Sequence, residues 1–201
     1  MFSIILILSL FVCINNKEIK SEDDSFGSEC LIHNREYSYE YLYSTNNFDM
    51  DQILSRNVYT RPIAKIQSLN KIRWNIIRKR LNNDTKYVYY LKNNLYEKYL
   101  CASDKHDDLF QSRRIVQIMK ISDDLIDDFK NCQWELENLR SSNKKRVFTI
   151  RNLKYQEQLY ASSPFFSGKF FNRVIYLWHK STDSKQAKWL IDCFTEDHLW
   201  M

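Results

Sequence analysis

The stretch Asn152-Leu-Lys-Tyr155-Gln-Glu-Gln-Leu159-Tyr-Ala161-Ser162 decides the fold, because the chain writes it three times. Earlier copies read Asn34-Arg-Glu-Tyr37-Ser-Tyr-Glu-Tyr-Leu42-Tyr-Ser44 and Asn93-Asn-Leu-Tyr96-Glu-Lys-Tyr-Leu100-Cys-Ala102-Ser103. The three asparagines are 59 residues apart, and an apolar residue precedes each by two positions (Ile32, Leu91, Ile150). Downstream, Arg56, Arg114 and Arg173 each precede a β-branched residue by two positions, at spacings of 58 and 59. Each copy closes on Trp-x-aliphatic: Trp74-Asn-Ile76, Trp134-Glu-Leu136 and Trp189-Leu-Ile191. Six matches in one register, three times over, exceed what chance supplies, and a fixed period of this kind marks a repeat architecture.

Each copy holds four short apolar pieces, and several alternate with period two, as in Tyr87-Val-Tyr89-Tyr-Leu91, which is the signature of strands. The 13 Tyr and 12 Phe favour strands as well. Three units of four strands fit a three-bladed propeller or a β-trefoil. Propellers close their ring with about four or more blades, so the reading is all-β: a β-trefoil of three pseudo-repeats of about 59 residues each. The boundaries expected are 28–83, 84–143 and 144–196 within a domain at 28–196.

The repeat assigns roles. Each asparagine stands where the first strand of its copy ends and is expected to bond its own backbone in the turn that follows. The tryptophans are expected in the core near the pseudo-threefold axis rather than on a ligand. Each arginine either pins a loop carbonyl at the barrel rim or presents its charge to a ligand. In a trefoil the first and last strands are neighbours, so Cys30 is expected to pair with Cys193, leaving Cys101 to Cys132 inside the second copy.

The apolar run Phe2–Ile14 is too short to span a bilayer and reads as a secretory signal, so residues 1–20 are taken as signal peptide and short N-terminal extension. A mature chain with four cysteines then belongs to an oxidising compartment. The expected localisation is extracellular, with no membrane span and a glycan on Asn83 of the sequon Asn83-Asp84-Thr85.

The elements Glu40-Tyr-Leu-Tyr-Ser44, Glu97-Lys-Tyr-Leu-Cys-Ala-Ser103 and Glu157-Gln-Leu-Tyr-Ala-Ser162 resemble the "EYLYA" unit of secreted mosquito proteins. There it precedes an "RRxVFTW" strand, matched here by Ser55–Arg61, Arg113–Met119 and Asn172–Trp178, and a W-x-I/V strand. Only the third copy keeps the tryptophan, as Trp178; Arg61 and Met119 replace it in the others. The resemblance implies secretion and three tandem units, and carries no catalytic residue. Asn34-Arg-Glu-Tyr37 is more faintly similar to the trefoil part of low-molecular-weight insect haemolymph lipoproteins. The Q-x-W signature of ricin-type lectins is absent, since Ile72, Cys132 and Ala187 precede the repeat tryptophans by two.

Other chemistry is sparse in the 201 residues. The two glycines, Gly27 and Gly168, are too far apart for a phosphate-cradling loop. No cysteines stand as C-x-x-C for zinc, and the acidic segment Ser122–Asp128 lacks the glycine and spacing of a calcium loop. It reads as a solvated, helix-prone loop, and no cofactor is expected. His33, His106, His179 and His198 do not recur between copies and read as ordinary surface or rim residues rather than catalysts. A net charge of +5, clustered at Arg78-Lys-Arg80, Arg113-Arg114 and Lys144-Lys-Arg146, is mild for nucleic acid. Anionic polysaccharide is the more plausible polyanion for a secreted chain.

The function expected is therefore a non-enzymatic binding protein of saliva, gut or haemolymph. It would recognise a glycan, a small ligand, or a host or pathogen protein through loops. The alternative is a Kunitz-type inhibitor like that of soybean, with Arg80-Leu81 in the segment Arg78–Thr85 as the protease-facing bond.

Overall fold

The computed structural model describes residues 24–49, 52–80, 86–106, 113–139, 146–163, 172–179 and 184–194. The leader, Asn83, His198, Asp107, Asp108 and the Lys144-Lys145 pair lie outside them. The described residues are all-β: twelve strands in one sheet, with five short 3-10 turns and no α-helix. In chain order the strands are β1 (Asp24–Asn34), β2 (Glu40–Asp49), β3 (Gln52–Pro62), β4 (Arg73–Arg80), β5 (Tyr87–Asn93) and β6 (Lys98–His106). They continue as β7 (Arg114–Met119), β8 (Trp134–Leu139), β9 (Val147–Asn152), β10 (Gln158–Ala161), β11 (Arg173–Trp178) and β12 (Lys188–Cys193).

The pairings repeat with a period of four strands. Six strands close a ring in the order β1, β4, β5, β8, β9, β12 and back to β1, every neighbour antiparallel. The remaining strands form the hairpins β2–β3, β6–β7 and β10–β11. The second strands of these hairpins pair with one another, β3 with β7, β7 with β11 and β11 with β3. A closed ring removes the edges that would otherwise expose unpaired backbone.

Period-two alternation drives this packing. In β4 the buried side chains are Trp74 and Ile76, with Arg73, Asn75 and Ile77 less covered between them. One core cluster gathers the equivalent residues of all three copies, including Ile32, Leu91 and Ile150, and Leu42, Leu100 and Leu159. Trp74, Trp134 and Trp189 belong to it and are completely buried. Each indole needs a partner for its N–H once buried. Trp74 Nε1 donates to the Leu42 carbonyl at 3.1 Å, Trp134 Nε1 to Leu100 at 2.9 Å, and Trp189 Nε1 to Leu159 at 2.9 Å. The repeated Trp and Leu are thus two ends of one bond.

Cys30 is bonded to Cys193, and Cys101 to Cys132. Cys30 and Cys193 stand opposite each other on β1 and β12, so the first bridge fastens the strands that close the ring. The second bridge sits in a smaller cluster with Val88, Tyr90, Tyr99, Ile121 and Ile126.

Candidate functional site

The repeated polar residues act between copies. Asn34, Asn93 and Asn152 end β1, β5 and β9 and are fully buried. Their Oδ1 atoms accept turn N–H groups two or three residues on: Glu36 and Tyr37, Tyr96, and Lys154 and Tyr155. Their Nδ2 groups do what the sequence did not announce. Asn93 donates to the carbonyls of Lys71 and Arg73, Asn152 to those of Asn131 and Gln133, and Asn34 to those of Gln186 and Lys188. Each asparagine therefore ties its own turn to the preceding copy, and the first copy to the third.

The arginines reach the other way. Arg173 Nη1 donates to the Ser162 carbonyl at 2.8 Å and to that of Ser163, and Arg114 Nη1 donates to those of Ser103 and Asp104 at 3.1 and 3.2 Å. Arg56 Nη1 reaches the Thr45 carbonyl at 3.5 Å. Each also lies over the tyrosine of the following copy: Arg173 over Tyr37 at 3.5 Å, Arg114 over Tyr155 at 3.5 Å, and Arg56 over Tyr96 at 4.2 Å.

Arg173 and Arg114 each also hold a carboxylate. Arg173 grips Glu40 with a fork, Nε to Oε2 and Nη2 to Oε1, both at 3.0 Å, and Thr60 Oγ1 donates to the same carboxylate at 2.6 Å. Arg114 Nε donates to Glu157 Oε2 at 3.1 Å. Glu40 and Glu157 each stand two residues before the leucine that accepts the tryptophan N–H. In the second copy that position is Lys98, which is 8% exposed. Burial pushes its ammonium below the ordinary lysine range, and Arg56 and Lys120 push the same way. The partner carboxylates escaped the sequence reading, although the Glu, Lys, Glu series two before Leu42, Leu100 and Leu159 carried the signal.

Elsewhere the side chains take up structural work. In the acidic segment, Lys92 Nζ donates to both oxygens of Asp123 at 2.8 and 2.9 Å, and Tyr99 Oη donates at 2.7 Å. These bonds hold the Asp123 carboxyl below the usual range. Tyr90 Oη donates to Asp127 at 2.8 Å, and burial together with that carboxylate raises its phenol well above the usual range. His33 is not an exposed rim residue: it is 7% exposed, with Nδ1 against the Ser38 carbonyl and Nε2 3.1 Å from Asp192. Exclusion from water, set by β1 lying between β2 and β12, is the reason. His106 and His179 are exposed. Among the described residues no group of three or more His, Cys, Asp or Glu side chains is arranged to hold a metal ion.

The basic clusters at Arg78–Arg80 and Arg113–Arg114 lie against aromatic rings. Arg113 sits 5.1 to 5.7 Å from the rings of Tyr160, Tyr176 and Trp178. Arg78 and Arg80 lie 4.5 and 5.7 Å from the Tyr87 ring. Arg80 ends β4 in register with Tyr87, within the ladder, and Leu81–Thr85 lie outside the described residues.

No protein-family model matches the chain, and no curated protein matches it. Solved structures share its fold. A salivary protein of Culex quinquefasciatus from the Cysteine and Tryptophan-Rich (CWRC) family is 15% identical, with a TM-score of 0.55 over 87% of this chain and 99% of that one. The SDF2-like protein of Arabidopsis thaliana is 12% identical, with a TM-score of 0.62 over 85% and 94%. ThreeFoil, a designed 3-fold symmetric protein, is 14% identical, with a TM-score of 0.56 over 81% and 97%. At such identities the likeness concerns the fold alone.

Proposed function

We propose that this chain is a secreted β-trefoil that binds a partner through its interstrand loops and catalyses no reaction. The observation that carries the reading is its closed ring of six strands, fastened by the Cys30–Cys193 bridge, with a second disulfide beside it. Such a scaffold holds loops rigidly while leaving their sequences free to vary. The two disulfides support an oxidising, extracellular setting. A Culex salivary protein has the same fold, which agrees with an extracellular setting. No helix among the described residues is long and apolar enough to cross a membrane.

The partner is a glycan, with anionic polysaccharide foremost, or a protein. Arg78 and Arg80 over the exposed Tyr87 ring, and Arg113 against Trp178, gather cationic charge beside aromatic rings. The test is a glycan array that includes sulfated polysaccharides, run at low and high salt with the mature chain. Binding that fades with salt supports a polyanion on the basic clusters. Salt-resistant binding supports an uncharged sugar, and a blank array removes carbohydrate in favour of a protein partner.

A further inference from the structure

Three further positions recur beside each hairpin, and only the first copy charges them. One residue after the repeated leucine stands Tyr43, Cys101 or Tyr160, and five after the repeated arginine stands Arg61, Met119 or Trp178. Three before the repeated tryptophan stands Lys71, Asn131 or Gln186. In the third copy the set is neutral. Trp178 packs edge-on against Tyr160 at 5.0 Å, the Tyr160 hydroxyl donates to Gln186 Oε1, and Gln186 Nε2 donates to the Tyr37 hydroxyl at 2.7 Å. In the second, Cys101 is in its disulfide and Asn131 Nδ2 donates to the Ala102 carbonyl at 2.9 Å. In the first copy the same places bring two cations to one ring. The guanidinium carbon of Arg61 lies 5.4 Å, and Lys71 Nζ 5.7 Å, from the centre of Tyr43. Lys71 is 8% exposed and Tyr43 5%, so the ammonium lies on a ring that is itself drawn out of water. A ring face attracts a cation but carries no net charge, so it cannot neutralise two. Among the described residues no carboxylate pairs with Arg61 or Lys71.

We infer that Arg61 and Lys71, gathered on Tyr43, form a binding site for a tetrahedral oxyanion, a sulfate or phosphate group supplied from outside the chain. A mostly buried charge needs a counter-charge, and the chain supplies none here. Arg61 Nε is buried and finds no acceptor, which leaves the Nη edge of the guanidinium and the Lys71 ammonium to meet a ligand. The fork takes two oxygens in a plane, and the lysine, a point charge on a flexible stem, takes a third from another direction. A tetrahedral group offers oxygens in both directions, whereas a carboxylate fills the fork alone. The site shares no residue with the clusters at Arg78–Arg80 and Arg113, so it stands or falls independently of them.

The experiment is calorimetric titration of the full disulfide-bonded chain with inorganic pyrophosphate and with sucrose octasulfate, a sulfated disaccharide. Arg61→Met and Lys71→Gln, which borrow the residues of the second and third copies, are titrated alongside, as is Arg80→Gln. Each of the first two removes a cation that has no counter-charge, so each should melt no lower than the wild type without anion, and lost binding is then not lost folding. The wild type binds, and Arg61→Met and Lys71→Gln each raise Kd about tenfold or more, the value of one charge-assisted hydrogen bond. Binding of pyrophosphate alone identifies phosphate as the source, and binding of the octasulfate alone identifies a sulfated sugar. No binding of either probe overturns the inference, as does wild-type affinity in both variants. A loss confined to Arg80→Gln overturns it too, while leaving the polyanion reading of the basic clusters standing. Binding that depends on Arg61 and Lys71 beside a blank glycan array has the opposite meaning: the site stands and the glycan falls.

Discussion

At the scale of single residues, the three tryptophans and three asparagines are buried polar groups whose cost is met by one fixed partner set each. Replacing Trp134 by Phe leaves the buried Leu100 carbonyl without its donor. The expected loss is about 1 to 3 kcal/mol plus a cavity contribution, read by denaturant unfolding. Asn93→Ala takes the side-chain donor from the Lys71 carbonyl and the acceptor from a turn N–H, while the Arg73 carbonyl keeps the Asn94 N–H, so it should cost a similar amount. Asp123 gives a pH dependence. Its carboxyl is held below the usual range, so its stabilisation is in force above about pH 4 and is lost as pH falls through the folded-state value. Asp123→Asn should therefore flatten the acid limb of a stability-against-pH curve. Because Asp123 is well exposed, the difference amounts to a fraction of a kcal/mol. These residues were legible as a set because each recurs at a fixed spacing; their partners were not, since a carbonyl acceptor has no residue type of its own.

At the scale of elements, the arginines on β3, β7 and β11 brace each hairpin against the next copy. Arg173 and Glu40 lie 133 residues apart in the chain and are both almost wholly buried. Removing one partner leaves a buried charge uncompensated, so Glu40→Gln should cost about 3 to 5 kcal/mol in equilibrium unfolding. Lys98 carries the opposite sign. A lysine whose folded-state value is lowered weakens the fold while it is charged, and the penalty fades as pH rises through that value. Lys98→Met should raise stability in chloride near neutral pH, and the gain should shrink in alkaline buffer. The arginines stood out in the sequence as candidate carbonyl pins, and Ser103, Ser162 and their neighbours are what they pin. The ion pairs did not stand out. The first copy has one extra residue between its asparagine and its glutamate, which shifts Glu40 out of step when copies are aligned on Asn34.

At the scale of the whole molecule, closure is the central event, and the Cys30–Cys193 bridge spans a sequence separation of 163 against 31 for Cys101–Cys132. Loop-closure entropy assigns about 5 kcal/mol to the first and about 4 to the second. The double replacement Cys30→Ser with Cys193→Ser should therefore lower the melting midpoint more than Cys101→Ser with Cys132→Ser, as calorimetry of the two variants would record. By itself the sequence determined that the chain is all-β, that it contains three copies of one unit, and which residue types recur in each. A period survives in one dimension, because equivalent environments demand equivalent side chains. Only the tertiary structure decided that Arg173 meets Glu40 and that Asn34 ties the first copy to the third. Those facts join residues of different copies, and contact across a closed ring depends on how strands pair in space rather than on their separation along the chain.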